Sequence, residues 1–141
     1  MPSALVVGYD PEAIPGVDAG ALRKGLDEEL DRFGEHGIDA AMALVVFEDS
    51  AEAVLVAALT ERPWDVVVVG GGIRKAEQLL PLFEEIMNLI RLHAPQAAIA
   101  FNTNGSDSVE AALRRMRARP ARTQQSGREA ARKPATGSGR G

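Results

Sequence analysis

Runs of apolar residues without polar alternation mark the expected strands of this chain. The clearest is Val66–Val69, four consecutive valines that follow Trp64. Because no alternate position is polar, both faces of this strand must be covered, as in the central strand of a parallel α/β sheet. The segments 4–8, 40–47 and 97–101 are also apolar and predict three further strands.

A helix is expected between the first and second strands, after a loop at 11–17 that is rich in Pro and Gly. Asp18 predicts its N-cap, and the apolar spacing continues to about residue 33. We expect one stripe of this helix to pack on the sheet. That stripe comprises Leu22, Leu26, Leu30 and Phe33.

Three more helices are expected after the later strands. Asp49, with Glu52 three residues on as its capping-box partner, predicts the start of the second helix. The third helix is expected to begin near Pro81, because Pro suits the first helical turn. Ser106 or Asp107 can cap the last helix, which ends near residue 117.

The repeated strand–helix pattern predicts an α/β fold in three layers. Right-handed crossovers between consecutive strands place a four-stranded parallel sheet between helices. We expect the strand order 2-1-3-4, in which the chain reverses direction between strands one and three. Gly8 and Gly70 end those two strands. Ligands of open α/β sheets bind at such a switch point, beyond the carboxyl ends of the strands.

Charge divides the chain of 141 residues, whose net charge is −4, into two unequal parts. Residues 1–118 carry ten Lys and Arg against nineteen Asp and Glu, whereas 119–141 carry six against one. We therefore expect a single acidic domain at 1–118 that does not bind nucleic acid. The stretch 119–141 has no hydrophobic periodicity, and its composition predicts a disordered basic tail.

The sequence also bears on the location of the protein. It has no cysteine, so disulfides and thiolate metal sites are excluded. The apolar runs are too short for a membrane span, and the N-terminus lacks the basic start of a signal peptide. A cytoplasmic protein is expected.

The three glycines after the valines are the strongest candidate site. Gly70, Gly71 and Gly72 let backbone N–H groups approach a phosphate or carboxylate, although a sharp exit turn also needs glycine. Arg74 can clamp an anion bidentately, or can be a solvated or salt-bridged loop cation. Neither nucleotide fingerprint is present, so no NAD is expected.

Carboxylates follow the first two strands and raise the possibility of catalysis. Asp10 and Glu48 can hold Mg²⁺, or one of them can serve as an acid. Ordinary turn chemistry is the alternative and is the favoured interpretation. The position of a receiver phosphoacceptor, at the end of strand three, is glycine, which excludes phosphorelay signalling.

Polar residues at two other strand ends complete the candidate site. Tyr9 follows the first strand and can stack on a ring or donate a hydrogen bond. Asn102 and Asn104 follow the fourth strand and can orient a polar ligand, although Asn-Gly-Ser is also a plain turn. With a single aromatic residue at this edge, no flavin is expected. Gly8 lies beside Tyr9 and completes the set.

Four segments of the chain resemble an uncharacterised family of small flavodoxin-like, or Rossmann-like, α/β proteins from bacteria and fungi. They are Gly-Tyr-Asp-Pro (8–11), Gly-Gly-Gly-Ile-Arg (70–74), Phe-Glu (83–84) and His-Ala-Pro-Gln-Ala-Ala-Ile-Ala-Phe-Asn (93–102). The resemblance spans about residues 4–117 and implies the fold. It implies no activity.

Together these patterns predict a small domain that binds an anion or a phosphorylated metabolite at the carboxyl edge of its sheet. One alternative is a protein-interaction module, since the helix at 79–93 is more apolar than one buried face requires and can form a homodimer. A second is a small hydrolase or isomerase that uses Asp10.

Overall fold

Four strands, five helices and two short 3₁₀ turns form the part of the chain that the computed structural model describes, residues 1–118. In chain order the elements are β1 (Ser3–Tyr9), a 3₁₀ turn (Pro11–Ala13), α1 (Ala19–Glu35), β2 (Asp39–Val45), α2 (Ala51–Thr60), β3 (Val66–Val69), α3 (Gly71–Arg74), a 3₁₀ turn (Glu77–Leu79), α4 (Leu80–His93), β4 (Ala98–Phe101) and α5 (Ser108–Ala118). The predicted tail at 119–141 lies outside the described residues.

All four strands are parallel and lie in the order β2-β1-β3-β4, which confirms the predicted topology. The register aligns Val7 of β1 with Val69, the last residue of β3. The pairing of β1 with β2 continues two residues further, to Tyr9 and Val45. The carboxyl edge is therefore stepped, with β1 and β2 reaching beyond β3.

Helices cover both faces of the sheet, as the four valines require. Val67 and Val69 point into a core formed with α2 and α4. Val66 and Val68 point into a second core, which α1 and α5 close. All four are fully buried. The protein is thus a three-layer α/β sandwich, in which the valines of β3 serve both layers.

Helix caps agree with the sequence at one helix and differ at another. The carboxylate of Asp18 accepts a hydrogen bond from the amide of Ala21 and caps α1, as predicted. The prediction for Asp49 is wrong, because α2 begins after Ser50 and has no side-chain cap. A turn in which the Ala51 amide bonds to the Glu48 carbonyl leads into that helix instead.

Helix α4 uses much of its apolar surface inside the molecule. Leu82, Ile86, Leu89 and Ile90 are buried in the core shared with α2 and the sheet. Leu80 and Leu92 are exposed. Most of the apolar residues of α4 that suggested a homodimer are therefore buried against α2 and the sheet. Within residues 1–118, no helix is both long enough and apolar enough to cross a membrane.

Candidate functional site

An open pocket of about 530 Å³ lies at the carboxyl edge of the sheet. Its walls come from the ends of β1 and β2, from α1, and from the turns that follow β3 and β4. Pockets of this size hold metabolite-sized molecules. The pocket therefore lies where the topology predicts a ligand site.

Seven of the nine predicted site residues line this pocket. They are Gly8, Tyr9, Gly70, Gly71, Gly72, Asn102 and Asn104. Asp10 and Arg74 do not line it. The sequence therefore located this pocket, while the contacts of several predicted side chains differ from the expectation.

The glycine turn is less open to a ligand than its sequence suggests. Gly70 caps the single helical turn of α3, and its amide bonds to the Val7 carbonyl at 2.9 Å. A Cβ at Gly71 would lie 3.2 Å from the main-chain oxygen of Thr103. Close packing against two neighbouring segments thus explains two of the three glycines. A Cβ at Gly72 would meet nothing within 4 Å, so this glycine alone faces open space.

Asn102 joins three parts of the carboxyl edge rather than facing a ligand. Its side chain is buried; the oxygen accepts from the Gly71 amide and the nitrogen donates to the Ser108 hydroxyl, each at 2.9 Å. Its main-chain oxygen accepts a hydrogen bond from Arg74. These bonds tie β4 to α3 and to the start of α5, so Asn102 shapes the pocket as a positioning residue.

Arg74 turns away from the pocket. Its Nε donates to the Val69 carbonyl at 3.1 Å, and its terminal nitrogen donates to the Asn102 carbonyl. The guanidinium carbon lies 5.0 Å from the centre of the Phe101 ring. The guanidinium thereby links the ends of β3 and β4, and these contacts favour a structural role over the expected anion clamp.

Lys75, one residue later, is the charged side chain that lines the pocket. Its Nζ donates to the Thr103 carbonyl at 2.6 Å, which leaves two further N–H groups on an exposed ammonium. The sequence predicts Arg74, and not Lys75, as the anion-binding residue. No local pattern distinguishes the two residues, because their roles depend on which backbone oxygens lie near each side chain in the fold.

The carboxylate of Asp10 is occupied within its own turn. It accepts from the Glu12 amide at 3.0 Å and pairs with Arg23 of α1 at 3.3 Å. It therefore caps the 3₁₀ turn at Pro11–Ala13, a short helical element in a segment expected to have none. Glu48 lies exposed in the turn before α2. In the part of the chain that the structure describes, no three metal-binding side chains converge.

Tyr9 and Asn104 also make contacts within the protein. The Tyr9 hydroxyl accepts a hydrogen bond from the Phe47 amide at 3.3 Å. The side-chain oxygen of Asn104 accepts from the amide of Ser106 at 2.7 Å. Both residues line the pocket, but these polar groups help to fold the surrounding turns.

Asp107 organises the loop that closes the β4 side of the pocket. It accepts hydrogen bonds from the amides of Thr103 and Asn104 and from the Thr103 hydroxyl. Partial burial raises the pKa of this carboxyl, but the bonds from Thr103 and Asn104 outweigh it, so the pKa lies below its ordinary value. The loop is thus held by an ionised carboxylate.

A buried carboxylate links α1 to α5. Glu29 is 3% exposed, accepts from the Val109 amide at 2.9 Å and pairs with Arg32. Arg32 also binds Glu110, and this hydrogen bond lowers the pKa of the Glu110 carboxyl. The sequence offers a signal for Glu29, since it lies seven residues after Leu22 within the apolar stripe. We did not single it out.

Comparisons of this chain with protein-family models, with curated proteins and with solved structures found no match. The family resemblance of the four sequence segments therefore stays a prediction. Fold and site together define a small doubly wound α/β domain with an open pocket at its switch point. Its function has to be inferred from the geometry of that pocket.

Proposed function

We propose that this chain is a ligand-binding α/β domain that holds a small anion, such as a phosphorylated metabolite, at the carboxyl edge of its sheet. The observation that carries the proposal is the pocket of about 530 Å³ with Lys75 at its wall. Among residues 1–118, no other residue that lines this pocket carries a charged side chain. An unopposed ammonium favours an anionic occupant.

The turn that contains Gly72 also supports an anionic ligand. The Gly72 position borders open space, and this residue lies in the first turn of α3 beside Lys75. Asn102 and Arg74 hold that turn in place through bonds to β3 and β4. The anion would therefore meet a preorganised rim, which reduces the entropy lost on binding.

Isothermal titration calorimetry with a panel of phosphorylated metabolites and small carboxylates tests this proposal. Lys75→Met removes the charge at the wall, and Gly72→Val places a side chain in the open space. Both changes are expected to weaken binding of any anion that binds the unaltered protein. Lys24→Met, which removes an exposed charge from α1, is the matched control. A panel without any binding anion, or binding unchanged by Lys75→Met, would contradict the proposal.

The alternatives from the sequence have weaker support. A homodimer through α4 would rest on the exposed Leu80 and Leu92. A monomer mass measured by light scattering would rule out this alternative. Catalysis by Asp10 would require its carboxylate to leave Arg23. A Mg²⁺ site at Asp10 and Glu48, and a cytoplasmic location, stay predictions.

A further inference from the structure

The apolar stripe of α1 is covered at one end and uncovered at the other. Phe33 is fully buried, whereas Leu22, near the start of the helix, is 42% exposed. Leu26, one turn after Leu22, is half-buried. Both leucines line the pocket. Among residues 1–118, nothing fully covers the apolar surface at the start of α1 that faces the pocket.

The edge strand β2 supplies the matching apolar surface. Met42 and Leu44 point to the α1 side and are half-buried, whereas Ala43 and Val45 on the other face are buried. Met42 and Leu44 both line the pocket. This part of the pocket lies over β2 and β1, and apolar side chains dominate it.

Polar groups occupy the opposite part of the pocket. Lys75 and Gly72 follow β3, and Thr103 and Asn104 follow β4. Since the strand order is β2-β1-β3-β4, Met42 and Leu44 on β2 lie at the far side of the sheet from the loop after β4. Neighbouring strands are about 4.8 Å apart, so β2 and β4 are separated by roughly 14 Å. Leu26 of α1 lies between them, because a Cβ at Gly105 in the β4 loop would be 3.4 Å from its side chain.

We infer that the ligand is an elongated amphipathic monocarboxylate that lies across the strands. Its apolar body would cover Leu22, Leu26, Met42 and Leu44, and its carboxylate would lie at Lys75. This inference rests on the proposed function and assigns the chemical class of the ligand. Burial of the exposed leucine and methionine surface provides the driving force for the apolar body, while the ammonium selects the negative end.

Charge argues against a ligand with several phosphates. Lys75 is the single cation among the described residues that line the pocket. The nearby Arg23 is paired with Asp10, and Arg74 is bonded to strand carbonyls. The domain carries nineteen acidic against ten basic residues over 1–118, which disfavours a highly charged anion. One negative charge on an apolar body matches this pocket best.

A homologous series of straight-chain carboxylates tests the inference with the intact chain. Calorimetry is run with acetate, butyrate, hexanoate, octanoate and decanoate below their micellar concentrations, and with 1-octanol and octyl phosphate as head-group controls. Each added methylene is expected to tighten binding about fourfold until the pocket is filled. Octanoate is expected to bind at least tenfold more tightly than 1-octanol.

Variants locate the two ends of the ligand. Leu22→Asn, at an exposed position, is expected to flatten the chain-length dependence, and Lys75→Met is expected to bring octanoate down to the affinity of octanol. Leu92→Asn on α4 is the control, since Leu92 is exposed but lies far from the pocket in the fold. It is expected to leave the whole series unchanged.

The remaining outcomes separate the two proposals. Equal binding of acetate and decanoate, or preference for inorganic phosphate or octyl phosphate, overturns the inference and leaves the proposed anion site standing. Equal binding of octanoate and octanol overturns both, because the charge at the wall then selects nothing. Binding of neither carboxylates nor phosphates also overturns both.

Discussion

The main-chain amide of Gly71 donates a 2.9 Å hydrogen bond to the side-chain oxygen of Asn102. This contact joins the turn after β3 to the end of β4, the two segments that form the polar part of the pocket. The side-chain nitrogen of Asn102 donates a hydrogen bond to the hydroxyl of Ser108 at the start of α5. One buried side chain thus sets the relative position of three segments.

Asn102→Ala is expected to destabilise the protein by about 2 kcal/mol or more. It leaves the Gly71 amide and the Ser108 hydroxyl without their buried partner, and an unsatisfied buried group costs about 1–3 kcal/mol. Urea unfolding measures the change. Asn88→Ala on the exposed face of α4 is the control, with an expected effect within about 0.5 kcal/mol. Equal effects of the two variants would show that the Asn102 contacts do not support the fold.

Adjacent glycines in the same turn are expected to respond differently to alanine. At Gly71 the new methyl group would lie 3.2 Å from the Thr103 carbonyl oxygen and 3.3 Å from Lys75 Cε. At Gly72 it would enter open space and reduce the entropy of the unfolded chain, which stabilises a protein by about 0.4–1 kcal/mol where no strain arises. In thermal unfolding, Gly72→Ala should have a higher Tm than Gly71→Ala. The reverse order would mean that the β4 loop moves freely away from α3.

The fold could be predicted because its signals are local. Val66–Val69 indicate a strand buried on both faces without reference to any other segment, and Asp18 indicates where α1 starts. The right-handed crossovers predict helices on the faces of a parallel sheet, and the expected strand order is observed. The failed cap at Asp49 shows the limit, since the turn at Glu48–Ala51 uses main-chain bonds that leave no composition signature.

The pocket was located by the same reasoning, but the direction of its side chains was not. Arg74 and Lys75 are neighbours in sequence, and the single turn of α3 sends the first to the strand carbonyls and the second to the pocket wall. Such a choice depends on which backbone oxygens are nearby in space. The partners of Asn102 lie 31 residues before it and 6 residues after it, and no local pattern predicts the first.

Glu29 is expected to stabilise the packing of α1 on α5. Glu29→Ala removes the buried acceptor of the Val109 amide and a partner of Arg32. Loss of a hydrogen bond to a charged group costs about 1.5–3 kcal/mol, so we expect about 2 kcal/mol in chemical unfolding. Glu28→Ala, at an exposed neighbouring position, is the matched control. A change no larger than that of the control would show that Glu29 does not stabilise the packing of α1 on α5.

Asp107 is expected to make the stability of the β4 loop depend on pH. The pKa of its carboxyl is lower in the folded protein than its ordinary value of 3.8. The folded state therefore binds the proton less readily than the unfolded state, so the stabilisation is present above about pH 4 and is lost as the pH falls through the folded pKa.

Unfolding experiments from pH 7 to pH 2.5 on the unaltered protein and on Asp107→Asn test this expectation. The variant is expected to be less stable at pH 5–7, and the difference between the two proteins should shrink below pH 3.8. A difference that stays constant over this range would show that the ionised form of Asp107 contributes nothing. Glu110→Gln provides a comparison, because the Glu110 carboxyl also has a lowered pKa but acts through Arg32.

Substitutions of Arg74 and Lys75 are expected to affect different properties: the first lowers stability, and the second lowers anion affinity. Arg74→Met removes the bonds to the carbonyls of Val69 and Asn102 and the contact with Phe101. Hydrogen bonds to charged groups contribute about 1.5–3 kcal/mol each when buried. Because Arg74 is half-buried, we expect the free energy of unfolding to fall by about 1.5 kcal/mol in urea unfolding, the lower end of this range. Arg74 does not line the pocket and affects the ligand only through the position of α3, so ligand affinity in the folded protein should fall by less than threefold, a smaller effect than that of Lys75→Met.

Lys75→Met should show the opposite behaviour. The Lys75 ammonium is exposed and makes one hydrogen bond, to the Thr103 carbonyl, so its loss should alter stability by less than about 0.5 kcal/mol. Anion affinity should fall at least tenfold, because Lys75 carries the one charge among the pocket-lining residues of the described part of the chain, 1–118. Calorimetry well below the unfolding transition measures affinity for both variants. An anion that binds Lys75→Met normally and fails to bind a folded Arg74→Met would return the role of clamp to Arg74 and would require its guanidinium to leave the strand carbonyls on binding.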